Sequence, residues 1–266
     1  MKYFWICVLA FAAGVAASAT MAGNEETMKQ LVPTGTLRVG LVVAPAPSAF
    51  FVTKDARGKP HGVTVDLGTA LAKTLGVPVQ FFIAPNSGEL TDAVANASID
   101  VAFMPVDNER KKRISFGPNY VLIESTYMAT AASGAKTIGD VDRASMRVIG
   151  IADTTTIRAA ARTLKNTTIS PVTAVADAVA ALRAGKADAF ALSRDSLPVY
   201  VKQIPGSRIV DGAFQRTGIA IAVPPNKPDA LVYVTAFMED VKKSGLVRRA
   251  LDSAGFKEEP VAPPIQ

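Results

Sequence analysis

Residues 99–120 read IDVAFMPVDNERKKRISFGPNY, and the succession of element types in that stretch sets the plan of the chain. Ile99 to Phe103 is a brief apolar run that carries Asp100 and is closed by Pro105, the pattern of a buried strand. Asp107 is placed to cap a helix, and Asn108 to Arg113 supplies one or two turns of it. Arg110 falls in the first turn, where a guanidinium and free backbone N–H groups can address the same anion. Residues 110–113 are all basic, so a solvated helix face is the competing reading; for Lys111, Lys112 and Arg113 it is the expectation. Phe116, Gly117, Pro118 and Tyr120 make a turn into another strand.

Outward from this stretch the same alternation repeats. Upstream, Leu37 to Val43 is the first strand, Ala44 to Ser48 a Pro-rich loop at its carboxyl end, and Lys54 to His61 a hairpin turn. Leu67, Ala70, Leu71 and Leu75 share a helical stripe ended by Gly76. Val79 to Ile83 is a strand, and Leu90, Ala93, Val94 and Ala97 form a second stripe. Downstream, Val121 to Ala131 is apolar and extended, and so is Thr217 to Val223. Between them lie a strand at Arg147 to Ile151, a hydroxyl-rich turn at Asp153 to Thr156, a helix through Leu164, a stripe at Val175 to Leu182 and a strand at Lys186 to Leu192. Helix, turn, Asp and an Ala/Phe strand thus occur twice, at Val94–Phe103 and Leu182–Phe190, a short echo of the kind two similar lobes would leave. Helices at Asp229 to Lys243 and Leu246 to Ala254 follow. Asn24 to Pro33 reads as a loose lead-in, and 258–266, with three prolines, as a flexible tail. The fold class is α/β.

Composition narrows the function. Of 266 residues, 49% are hydrophobic, enough for a full core. Lys2, the apolar run Phe4 to Val15 and the small-x-small site Ala17-Ser18-Ala19 read as a cleavable signal peptide over 1–19, hence periplasmic export. Cys7 and Trp5 leave with it, so the mature chain has no disulfide. The net charge is +6, and +5 once Lys2 is removed. The basic residues are dispersed without interleaved aromatics, against nucleic acid as a partner. His61 is the only histidine, and no metal or cofactor signature is present.

The Ile99–Tyr120 stretch resembles the "D-A-x-x-x-x-x-T-x-x-R-x-x-x-x-x-F-S-x-P-Y" region of the family 3 bacterial extracellular solute-binding proteins, the amino-acid-type receptors of ABC importers. The resemblance runs from about Gly35 to Phe256. It implies a type II periplasmic binding protein fold: a monomer of two lobes with a hinge and an interlobe cleft, here 20–124 and 222–257 for the first lobe and 125–221 for the second. It implies that Arg110 grips a ligand carboxylate, that Thr155 and Thr156, matching a "G-T-T" turn, hold its other side, and that an aromatic near Phe51 stacks on the ligand. Core packing for Phe50 and Phe51 and a plain N-cap for the threonines are the structural alternatives. Many members carry at about Ser193 an aspartate that binds the ligand ammonium. This chain has Ser193-Arg194-Asp195, so either Asp195 takes that role or the ligand is not an ordinary α-amino acid. Arg110, Arg158 and Arg194 together would suit a di-acid or another anionic metabolite. The resemblance implies a small carboxylate solute and a membrane permease as partners. Alternatives are a cyclohexadienyl-dehydratase-like enzyme, with Glu89 or Glu124 as the acid by position, and a sensor that feeds no permease.

Overall fold

In a computed structural model, residues 25–44 and 48–265 are described; the expected leader over 1–19 and the middle of the Pro-rich loop lie outside them. Nine strands form one sheet. Val79–Ala84, Leu37–Val42 and Val101–Pro105 run parallel at one end. Ile169–Val172, Val148–Ile151 and Ala189–Ser193 run parallel at the other. Two strands between them, Ser115–Ala129 and Gln215–Val223, pair antiparallel with each other and with both ends.

Parallel neighbours require crossover helices, and the sequence supplies them. Val63–Leu75 and Ser87–Ala95 serve the first group; Thr155–Thr163 and Val175–Arg183 serve the second. Apolar packing divides accordingly. One large core joins residues from Leu31 to Ile123 with those from Ile219 to Leu251. The second lobe has two smaller cores. Tyr127, Ala129, Val148, Ala189 and Ala191 face one side of the sheet; Met128, Ile149, Ile151, Phe190 and Leu192 face the other. Alternation along a strand forces that split. The chain is therefore two-lobed, with the two long strands passing between the lobes.

Each lobe carries the same clamp. Asp100 accepts from the backbone N–H of Arg38 at 2.8 Å and from its guanidinium at 2.5 and 3.1 Å. Asp188 accepts from Arg147 at 2.9 Å through the backbone and at 2.7 and 2.9 Å through the guanidinium. Both aspartates stand immediately before a central parallel strand, opposite the arginine and one residue ahead of the first strand pair, Val39 with Val101 and Val148 with Ala189. The short echo in the sequence is this repeated clamp.

Three expectations need correction. The lead-in is helical over 25–31, with Leu31 fully buried; Gln30 bonds the Asp229 side chain and accepts from the Asp229 backbone N–H, capping the Pro228–Lys243 helix. The segment 258–265 is docked, not free. Val261 bridges Val121, the Ala262 N–H donates to the Tyr120 carbonyl, and Lys242 and Arg248 donate to the Pro263 and Glu259 carbonyls. The expected turn at Phe116 to Tyr120 is the start of the Ser115–Ala129 strand, because a register shift opposite Ala220–Ala222 absorbs Pro118, which has no N–H to donate.

Candidate functional site

A cavity of about 80 Å³ lies where the two lobes meet. Its floor is one face of the crossing strands. Thr217 pairs with Ile123, Ser125 pairs with Ser193, and all four line the cavity. The first lobe adds Val42, Val43, Ala44, Phe51 and Pro105, which end or follow its strands; the second adds Thr154, Thr155 and Thr156 from the strand-to-helix turn. These positions are the carboxyl ends of parallel strands, where open α/β sheets bind ligands.

The threonine turn opens a helix onto the cavity. Thr154 caps the Thr155–Thr163 helix; its hydroxyl accepts from the Ile157 N–H at 3.2 Å and donates to the Ile151 carbonyl at 2.8 Å. Thr154 is extended, at φ −94° and ψ 157°, while Asp153 takes the left-handed conformation, φ 59°. A threonine at 154 therefore costs the turn nothing. The first N–H groups of the helix have no partner within it, and its positive end faces the cavity. Thr156 shares a hydroxyl contact with Ser125 at 3.3 Å.

The basic run divides sharply. Arg110 is only 6% exposed, while Lys111, Lys112 and Arg113 face solvent. Arg110 Nη1 donates to the carbonyl of the cavity-lining Pro105 at 2.8 Å. Among the described residues no carboxylate lies within ion-pair distance of its guanidinium, and the described residues include every Asp and Glu of the chain. Desolvation pushes its pKa down to about 10, against the pull of Asp107, so it is still a cation at neutral pH. Asp107 caps the short helix through the Arg110 N–H at 2.9 Å and also binds Arg158 from the opposite lobe. Burial opposes ionisation of Asp107, but the Arg110 N–H and Arg158 outweigh it and hold its pKa below the ordinary value.

The eight residues singled out in the sequence fall into three positions. Phe51, Thr155, Thr156 and Ser193 line the cavity. Arg110, Arg158 and Asp195 stand just behind it: Arg110 against Pro105, Arg158 on Asp107, and Asp195 linked through Ser196, whose hydroxyl is 3.2 Å away. Asp195 also meets the Ser48 hydroxyl of the first lobe at 3.4 Å, and burial raises its pKa. Arg194 lies elsewhere. It donates to Glu124 at 2.9 Å and to the Gly212 carbonyl at 2.5 Å, beside Arg216. Phe50, fully buried, packs edge-on against Phe256 at 5.1 Å in the core. Sequence reasoning passed over Ser125, Ser196 and Thr217. The signal for Thr217 and Ser125 was a hydroxyl inside an otherwise apolar extended run.

The sequence profile of the bacterial extracellular solute-binding proteins, family 3, matches residues 37–253. A glutamine-binding protein of Geobacillus stearothermophilus is 24% identical over 213 residues, covering 76% of this chain and 78% of its own. An ancestral amino acid-binding protein, a precursor of cyclohexadienyl dehydratase, superposes with TM-score 0.71 at 27% identity, over 85% of this chain and 98% of its own. A solute receptor for L-cysteine from Neisseria gonorrhoeae superposes with TM-score 0.72 at 20% identity, over 87% and 97%.

Proposed function

The chain belongs to the bacterial extracellular solute-binding proteins, family 3, and from that premise we propose that it is a periplasmic receptor that closes two lobes on a small carboxylate solute, an amino acid or related organic anion, for an ABC importer. The observation that carries this reading is Arg110. A guanidinium withdrawn from water costs free energy unless an anion answers it. Here its partner is a neutral carbonyl on the cavity wall, and the hydroxyl-lined tip of the Thr155–Thr163 helix faces that cavity from the opposite lobe. A carboxylate seated between them would receive charge-assisted bonds of about 1.5–3 kcal/mol each. Three or four such bonds reach the roughly 8 kcal/mol of micromolar binding. Contacts on both lobes favour the closed form, which a permease can distinguish from the open one.

Binding is favoured over dehydratase chemistry by the placement of Glu89 and Glu124, the two acids that sequence position put forward for it. Glu89 is exposed and pairs with its helix cap Asn86 at 2.8 Å; Glu124 is held by Arg194 and Arg216. Neither lines the cavity. A thermal-shift screen of amino acids, dicarboxylates and keto acids tests the receptor reading. Ligands that shift the wild-type protein should give no shift with Arg110→Ala, whose folding is checked by circular dichroism. A full shift in that variant would remove Arg110 from the site.

A further inference from the structure

We infer that the solute is a zwitterion with a compact, uncharged aliphatic side chain, a small neutral α-amino acid, and that its ammonium is held by the Ser193 and Ser196 hydroxyls with Asp195 behind them as the counter-charge. The inference rests on the receptor reading and deepens it, by naming the solute's charge pattern and the group that answers its positive end.

The charges around the cavity leave one of each sign unanswered. Arg158 and Asp107 neutralise each other, as do Arg194, Arg216 and Glu124. Arg110 has only the Pro105 carbonyl for its guanidinium. Asp195 has only hydroxyls: its Oδ2 accepts from Ser196 at 3.2 Å and from Ser48 at 3.4 Å. Its Oδ1 is buried and has no hydrogen-bond partner among the described residues. A buried polar atom without a partner is uncommon. One guanidinium and one carboxylate match a solute with one negative and one positive group.

The hydroxyls connect Asp195 to the cavity wall, of which it is not itself a part. Ser193 and Ser196 both line the cavity. Ser193 Oγ donates to Ser196 Oγ at 3.1 Å, and Ser196 Oγ donates to Asp195. Both protons are committed toward the carboxylate, so both oxygens are left to accept from the cavity. Hydrogen bonds in such a chain polarise one another. Thr217, buried on the cavity floor, adds a hydroxyl oxygen with no partner among the described residues. An ammonium has three donors and accepts nothing, and this wall offers it acceptors backed by a negative charge.

The rest of the wall decides the side chain. Val42, Val43, Phe51, Ile123, Leu192 and Ile219 line the cavity, and no charged or amide side chain does. A third charge on the solute would be desolvated without a counterion. The volume of about 80 Å³ accommodates about five to eight water-sized groups, the scale of alanine to valine.

The test is isothermal titration of the purified chain at pH 7 with L-alanine, L-valine, L-glutamine, L-arginine, L-glutamate and L-2-hydroxyisovalerate, which is valine with its ammonium replaced by a hydroxyl. Alanine or valine should bind roughly a hundredfold more tightly than arginine or glutamate, and valine should exceed its hydroxy analogue by a similar factor. Asp195→Asn, whose carbonyl can still accept from Ser196, should weaken the amino acid tenfold to a hundredfold and bring valine and its hydroxy analogue toward parity, with the melting temperature of the free protein unchanged or raised. A residue of merely structural importance would lower that temperature and leave the preference for the ammonium intact. Tighter binding of glutamine, arginine, glutamate or the hydroxy analogue overturns the inference and leaves the receptor reading standing, as does an undiminished preference for valine in Asp195→Asn. Silence from every probe overturns it too, and silence from all carboxylates in the thermal screen overturns both.

Discussion

The two lobes fasten their sheets with the same device and then do different things with it. In each, an arginine at the start of one parallel strand is gripped through backbone and side chain by an aspartate that precedes the next. The clamp of the first lobe is deep, with Asp100 3% exposed; that of the second is shallow, with Asp188 15% and Arg147 55% exposed. The ends of the strands diverge further. The first lobe offers a buried guanidinium, the second a helix tip with hydroxyls. A shared scaffold rule fixes where strands end, and the local residues at those ends decide what chemistry is presented. Complementary, not identical, ends are what a cleft needs to hold one anion from both sides.

The largest test of this contrast is to cut each clamp. Asp100→Ala should cost about 3 kcal/mol in urea unfolding, because it strands a partly buried guanidinium and a backbone N–H. Asp188→Ala should cost about 1 kcal/mol, since solvent can take over for Arg147. Equal losses would mean that depth does not set the strength of the clamp. The glycines beside the clamps come next. A Cβ on Gly40 would run into the Ile99 and Leu90 methyls, whereas on Gly150 it would meet Ile169 Cδ1 at 2.9 Å. Gly40→Ala should therefore cost about 2 kcal/mol and Gly150→Ala about 1 kcal/mol, measured by the same unfolding. Matching values would show that the second core is as tight as the first.

Smaller still is the contact that ties the lobes. Arg158→Gln removes the guanidinium that reaches Asp107, at a cost of about 1 kcal/mol to the closed arrangement. Small-angle scattering of the ligand-free variant should show a larger radius of gyration; an unchanged profile would remove the pair as a latch. The mildest effect is in acid. Hydrogen bonds from Arg147 hold the Asp188 carboxyl below its ordinary range. A lowered folded-state pKa means that its contribution is complete above the unfolded value of about 3.9 and disappears as pH falls through the folded one. Asp188→Asn should thus lower stability at pH 7 and flatten the loss between pH 5 and 3. Asp195 has the opposite sign. Burial raises its pKa, so its ionised form opposes folding as pH rises above 3.9, and Asp195→Asn should raise the melting temperature at pH 7.

Much of the fold was legible because it is periodic. The stripe at Leu67, Leu71 and Leu75 and the apolar runs at Leu37 and Val101 each state their own element type, and short stretches suffice for that. The lead-in and the tail were misread for a physical reason. Their polarity and prolines describe local preference, while Gln30 on Asp229 and Val261 on Val121 are bought by partners far away in sequence. The site was half legible. Thr155 and Thr156 announced themselves as a capping turn after a strand. Arg110, Arg158 and Arg194 looked alike on paper and took three different partners.

The sequence by itself determined the α/β order, the two long apolar runs and the capping turn at Thr154–Thr156, since hydrophobic period and capping chemistry act over a few residues. Only the tertiary structure decided which of Arg110, Arg158 and Arg194 is left without a carboxylate partner. A charge is neutralised by whatever folding brings within about 4 Å, and Glu124 lies seventy residues from the arginine it claims.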